Sequence, residues 1–171
     1  MNIENNSILN IHLNPEGILR IVLNNPKSHN TLSEKMISSL QQSLNDAASD
    51  EKVRVVIIAA EGSTFSAGHD LKEMKAGRLD PDKGKSYFNK IMSQCSTLMQ
   101  SIVTNPKPII AEVNGTATAA GCQLVASCDL AYASVSARFA TPGVNIGLFC
   151  STPMVALSRS VANKHSMEML L

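Results

Sequence analysis

The chain has 171 residues, of which 44% are hydrophobic and 17% charged, and its formal net charge is +1. That length suits one domain able to bury a core, and the composition excludes a disordered chain. The near-neutral balance argues against a nucleic-acid partner, and no apolar stretch is long enough to cross a bilayer.

The segments Ile8–Leu13 and Ile18–Leu23 are short β-type runs around an Asn-Pro-Glu-Gly turn and read as a hairpin. An Asn-Asn-Pro-Lys break ends the second run. Residues Thr31 to Glu34 (TLSE) fit a capping box, with Leu32, Met36, Ile37, Leu40, Leu44 and Ala47 at helical spacing behind it, so an amphipathic helix is expected to about Ala48. Val53–Ala60 is a continuous β-branched run, the mark of a buried parallel strand. Glu61–Thr64 reads as a turn, and the polar segment Lys72–Lys85 as a mobile surface loop.

Helical period returns over Tyr87–Ile102. Pro108–Val113 is a second buried strand, Gly121–Cys128 a short helix and Asp129–Ala133 a third strand. Phe139–Phe149 looks loop-like, and Thr152–Val161 and Lys164–Leu171 look helical, with Met154, Met167 and Met169 as core residues. Alternating strands and helices predict an α/β domain with a largely parallel sheet. No internal sequence repeat stands out. The final MEMLL is an apolar helical face with no cap or polar tail, so a further segment is expected beyond Leu171.

Cys95, Cys122, Cys128 and Cys150 lie in or beside apolar runs, without a CxxC pair or zinc-type spacing. They read as reduced core thiols of a cytosolic or matrix protein. The first ten residues show neither a basic region followed by an apolar one nor an Arg-rich transit composition, so the default expectation is cytoplasmic.

Two stretches can carry chemistry. FSAGHDL, Phe65 to Leu71, follows a buried strand through small residues, which lets backbone N–H groups face a ligand. NGTATAAGCQL, from Asn114, places Ala119, Ala120 and Gly121 at a helix N-terminus, where free N–H groups favour developing negative charge. Each stretch also fits a purely structural role, as a tight turn or as close packing. Both follow buried parallel strands, and strand C-termini are where α/β sheets bind ligands. His69 is the only histidine in either stretch, and Lys27 and Lys72 are candidate phosphate partners.

These residues resemble the crotonase superfamily, also called the enoyl-CoA hydratase/isomerase family, over the whole chain. Four blocks carry the resemblance: Leu23 to Ser33, Thr64 to Met74, Pro108 to Gly115 with Ala119 to Asp129, and Phe139 to Pro142 with Ile146 and Gly147. The resemblance implies a superhelix of ββα units and a C-terminal helical segment that completes the site or docks on a neighbour in a trimer or hexamer. It implies an acyl-CoA substrate, no separate cofactor or metal, and a thioester oxygen held by the N–H groups of His69 and Ala120, where the family usually has glycine at the latter. Ala67 matches the residue whose backbone meets the adenine, and Lys27 and Lys72 match basic residues near the CoA phosphates. Gly68, Asp70, Leu71, Gly121, Gln123 and Pro142 complete the substrate-facing set.

The family's hydratases use two glutamates flanking a water, and here those positions hold Gln123 and Gly143. An amide does not exchange a proton at working pH, and glycine has no side chain. The resemblance therefore implies an acyl-CoA-binding protein with a family label of hydratase and weak or absent hydration. Two alternatives stay open. FSAGHD resembles malonyl-type acyl-CoA decarboxylases of the family, with His69 orienting a carboxylate. The apolar C-terminal edge fits a non-catalytic binding or assembly subunit.

Overall fold

A computed structural model describes residues 8–171, so most of the stretch read for a leader lies outside the described residues. A five-stranded sheet has the order β1-β2-β3-β5-β7, with β1 at Leu9–Leu13, β2 at Ile18–Leu23, β3 at Val55–Ala60, β5 at Ile109–Val113 and β7 at Leu130–Ala133. Only the β1–β2 hairpin is antiparallel. A second, all-parallel sheet has the order β4-β6-β8, from Thr64–Ser66, Thr116–Thr118 and Arg138–Ala140.

The helices are α1 (Glu34–Ser49), α2 (Leu71–Gly77), α3 (Lys85–Val103), α4 (Ala120–Ser127), α5 (Ser151–Ser160) and α6 (Asn163–Leu170). Each of β3, β5 and β7 is followed by a short strand of the second sheet and then by helix. This is the ββα superhelix that the resemblance implies. The repeat is one of backbone rather than of sequence, which is why no internal similarity announces it.

The core lies on one face of the long sheet, where Leu19, Ile21 and Leu23 of β2 are buried and alternate with half-buried Ile18, Arg20 and Val22. Met36, Ile37, Leu40 and Leu44 of α1 and Ile91, Leu98 and Ile102 of α3 are buried against Ile21, Leu23, Ile58 and Phe65. Each such side chain contributes about 1.5–3 kcal/mol by leaving water. A smaller cluster of Cys122, Leu157 and Leu170 ties α4 to α5 and α6, with Met154 and Met169 packed on it.

Several expectations are corrected. The polar segment after Leu71 is not a loop throughout: Asp70 caps α2 by accepting from the Lys72 and Glu73 N–H groups, and turns begin only after Gly77. The helix is short and mostly exposed, so it carries almost no apolar periodicity. The capping box is displaced as well. Ser33, not Thr31, is the N-cap of α1 and accepts from the Met36 N–H, while the Thr31 hydroxyl donates to Asp70 at 3.0 Å. Strands of three residues (β4, β6, β8) lie inside stretches read as turn, small-residue motif and loop, because three residues are too few for alternation to show. The Phe139–Phe149 region also holds a 3-10 turn, Pro142–Ile146. Met167 is exposed rather than core.

Candidate active site

The end of β4 and the start of α4 meet at one glycine. The loop Ala67 to Asp70 is held like an extra strand against the segment before α1. Ala67 N–H donates to the His29 carbonyl at 3.0 Å, Leu32 N–H donates to the Gly68 carbonyl at 2.7 Å, and Leu32 and His69 form an isolated parallel bridge. Gly68 has φ +84°, and a Cβ there would lie 3.1 Å from the Ala120 nitrogen and 3.0 Å from Ala119 Cβ. Gly121 makes the second close approach. A Cβ on it would overlap the Ser66 carbonyl oxygen and lie 2.8 Å from Ser66 Cβ, so α4 rests directly on β4.

This packing sets two backbone donors side by side. Ala120 opens α4, so its N–H has no acceptor within the helix. His69 lies just past Gly68 in the neighbouring loop, and neither N–H donates a hydrogen bond among the described residues. The strained backbone is not at Ala120 but at Ala119, whose φ of 52° and ψ of −123° turn the chain into the helix while its N–H donates to the Ala140 carbonyl at 2.9 Å. Such a conformation in a non-glycine residue costs of order 1–3 kcal/mol and persists where the surroundings enforce it.

Three polar side chains that sequence reasoning passed over hold this arrangement. Asn30 is fully buried with φ 49°; its amide donates to the Glu61 and Thr64 carbonyls at 2.9 and 2.7 Å and its oxygen accepts from Asn25 N–H at 2.8 Å. Asn114 donates to the Ala60 and Gly62 carbonyls at 3.0 and 2.7 Å. Ser66 Oγ accepts from Gly68 N–H at 3.3 Å. The available signal was an asparagine beside each turn, since asparagine tolerates positive φ and substitutes for backbone partners.

His69 is largely buried, and desolvation pulls its pKa below the ordinary histidine value. Its Nε2 is buried without a hydrogen-bond partner. Burial thus favours the neutral imidazole, and one ring nitrogen is unmet within the protein.

Gln123, on the first turn of α4, is 7% exposed, and its Oε1 is also buried without a partner. Gly143 has no room for a side chain: a Cβ would overlap the Leu148 carbonyl oxygen and lie 2.7 Å from Cys150 Sγ. Two acids, on β5 and just before β7, are engaged elsewhere. Glu112 pairs with Arg20 through two contacts at 2.5 and 2.7 Å across the sheet, and Asp129 accepts from the Ile109 N–H at 2.8 Å.

The remaining candidates are more dispersed. Lys27, on the 3-10 turn Pro26–Ser28, and Lys72 and Leu71, on the first turn of α2, are exposed, as is Pro142. The Asp70 carboxylate is committed to capping α2 and to Thr31. Among the described residues, no group of three His, Cys, Asp or Glu side chains could hold a metal. All four cysteines are free, and burial pushes Cys95 and Cys122 up to about 11 and Cys128 up to about 12, so these three stay protonated and inert.

Gln123 also lines a half-open cavity of about 570 Å³ between α3, α4 and α5, with Met92, Gln100, Val103, Val155 and Arg159 exposed at its rim. The cavity therefore starts one helical turn from the Ala120 N–H.

The family model for enoyl-CoA hydratase/isomerase matches residues 14–171. The chain belongs to the enoyl-CoA hydratase/isomerase family. This family member is 57% identical over 154 residues to enoyl-CoA hydratase domain-containing protein 3, mitochondrial, of Xenopus laevis, and 53% identical over 155 residues to the Homo sapiens protein of that name. The matches cover 90% and 91% of this chain but 51% and 50% of the relatives, so the chain spans about half their length. A crystal structure of an enoyl-CoA hydratase from Mycobacterium smegmatis superposes with a TM-score of 0.89 at 48% identity, over 96% of this chain and 62% of the other. That of human enoyl coenzyme A hydratase domain-containing protein 3 gives 0.85 at 51%, over 95% and 62%. The Xenopus laevis and Homo sapiens relatives are named as mitochondrial proteins, which leaves the cytoplasmic expectation without support; among the described residues, no helix is long and apolar enough to cross a membrane.

Proposed function

We propose that this chain binds an acyl-CoA thioester, holds its carbonyl oxygen with the N–H groups of His69 and Ala120, and does not hydrate enoyl-CoA. The observation that carries this reading is the pair of unengaged N–H groups brought together at Gly68, with the neighbouring Asp70 carboxylate committed to the α2 cap and Thr31. Fixed donors of this kind stabilise a developing oxyanion and need no proton transfer of their own. Adding water across a double bond does need acid–base groups, and Gln123 and the filled Gly143 position supply none. Ala67 has its N–H committed to His29, so its carbonyl is left for the adenine, with Lys27 and Lys72 near the phosphates. The four free thiols fit a reducing compartment, cytoplasm or mitochondrial matrix. Assembly as a trimer or hexamer belongs to the same proposal.

The test is calorimetric titration with crotonyl-CoA, free CoA as control, while consumption of the double bond is followed. Binding without turnover is expected. Turnover at an ordinary enzymatic rate would overturn the non-hydrating part, and no advantage over free CoA would overturn the binding part.

A second reading rests on His69. Its unpartnered Nε2 could orient the carboxylate of a malonyl-type thioester. The C–CO₂ bond would break, its electron pair passing into a thioester enolate whose oxygen the two N–H groups hold, and the enolate carbon would then take a proton from water. Release of CO₂ from methylmalonyl-CoA, abolished in His69→Ala, is the expected result; no release would dismiss this reading.

A further inference from the structure

The cavity between α3, α4 and α5 has one cation on its wall and no carboxylate. Its lining runs from Gln123 along α4 to Ala126 and Ser127, and along α5 to Arg159 in the last turn. The Ser160 hydroxyl donates to the Ala126 carbonyl at 2.7 Å, which fixes the Arg159 end of α5 against the far end of α4. Three hydroxyls of the lining donate to helix carbonyls: Ser127 to Gln123, Ser160 to Ala126 or Ala156, and Thr104 to Gln100. Arg159 has no ion pair or hydrogen bond among the described residues. At the near end, the Gln123 oxygen is buried with no donor from the protein, so its partner comes from outside the fold, as a water or a ligand in the cavity. Met92, Met99 and Val155 make the wall between these ends apolar.

We infer that the acyl group bound here ends in a carboxylate, as in a thioester of a dicarboxylic acid, and that this carboxylate pairs with Arg159. This rests on the reading of the site as one for acyl-CoA. The apolar middle of the cavity suits a methylene chain, and a cation facing no acid suits its anionic end; guanidinium–carboxylate pairing supplies the geometry. From Ala120 to Ala126 the helix rises roughly 9 Å at 1.5 Å per residue, so the carboxylate lies well beyond the thioester carbonyl. The CoA phosphates are not the anion in question, because Lys27 and Lys72 stand on the first 3-10 turn and on α2, neither of which lines this cavity.

The experiment compares adipoyl-CoA with hexanoyl-CoA, equal in carbon count and differing in the terminal carboxylate, by titration calorimetry on the full chain. Wild type is expected to bind adipoyl-CoA about ten-fold more tightly, which is about 1.4 kcal/mol, with the advantage shrinking as salt rises. Arg159→Met should bring the two ligands to parity, and Arg159→Lys should keep part of the preference. Arg159 is exposed, so these variants leave the core intact. Equal or tighter binding of hexanoyl-CoA by wild type, or a preference that survives Arg159→Met, overturns the inference while leaving acyl-CoA binding standing. If neither thioester exceeds free CoA, the acyl-CoA reading itself fails and takes the inference with it.

Discussion

Replacing Gly68 by alanine tests whether one missing side chain holds the two donors together. Two costs add. At φ +84° an L-residue is disfavoured by roughly 1–2 kcal/mol, of which the stiffer unfolded chain of alanine returns about 0.4–1 kcal/mol. The new Cβ would also stand 3.0 Å from Ala119 Cβ, 3.1 Å from the Ala120 nitrogen and 3.2 Å from the Thr118 carbonyl oxygen. Pushing α4 back to relieve that crowding adds about 1–3 kcal/mol, for a total near 2–3 kcal/mol. Gly147→Ala is the control, because Gly147 has φ +73° with nothing within 4 Å and so incurs only the conformational cost. Urea unfolding of both variants, followed by circular dichroism, gives the difference; acyl-CoA titration should then show weaker binding for Gly68→Ala alone. If Gly68→Ala cost no more than Gly147→Ala and bound acyl-CoA like wild type, the packing account of this site would be refuted.

Restoring the acids should not restore hydration. Gln123→Glu with Gly143→Glu is expected to leave crotonyl-CoA unconsumed and to lose about 2 kcal/mol or more in urea, since Leu148 and Cys150 occupy the space; a gain of turnover would contradict this. Asp70→Ala should cost about 1–2 kcal/mol through loss of the α2 cap. Desolvation raises the Asp70 pKa, but the N–H groups of Lys72 and Glu73 and the Thr31 hydroxyl outweigh it and hold it below the ordinary value. Its contribution is therefore present above about pH 4 and is lost as pH falls through the depressed folded value, a slope that Asp70→Asn should flatten in a pH series. His69 works in the same direction for a different reason: burial keeps it neutral, so the unfolded chain binds more protons below about pH 6.5 and stability falls with acidification. His69→Gln should remove that part of the slope, and an unchanged slope would mean that the imidazole titrates freely.

The long elements were legible because their patterns are long. Residues Met36 to Ala47 repeat an apolar face, and the β3 run is apolar throughout with four β-branched residues, Val55 to Ile58, so burial dictates both wherever the rest of the chain goes. The second sheet was not legible, since β4, β6 and β8 have three residues each and are held by pairing with one another rather than by any alternation of their own. The site was half legible. Small residues at Ala67, Gly68, Ala119 and Gly121 pointed to close approach, and the structure brings those two stretches together. What they could not reveal was the support from Asn30 and Asn114, whose amides donate to carbonyls 31 to 54 residues away in sequence. Nor did a lone glycine at position 143 disclose that backbone had filled its place.

The two missing acids are missing in different ways, and the difference bears on what the site is for. Gln123 keeps the shape of a glutamate and stays buried at the mouth of a cavity, with an oxygen that still seeks a donor. Gly143 is closed over by the Leu148 carbonyl and Cys150, so that corner no longer has room for an acid, or for a water held by one. By contrast, everything that aims the His69 and Ala120 N–H groups is in place: the positive φ at Gly68, the strained turn at Ala119, the contact of Gly121 on Ser66, and the two asparagines that pin the loops. Backbone strain at Ala119 has to be offset by surrounding structure, here the Ala140 carbonyl that accepts its N–H. A chain that keeps the strained turn at Ala119 beside two unengaged N–H groups, with Gly143 closed over, is what the proposed thioester binding without hydration requires.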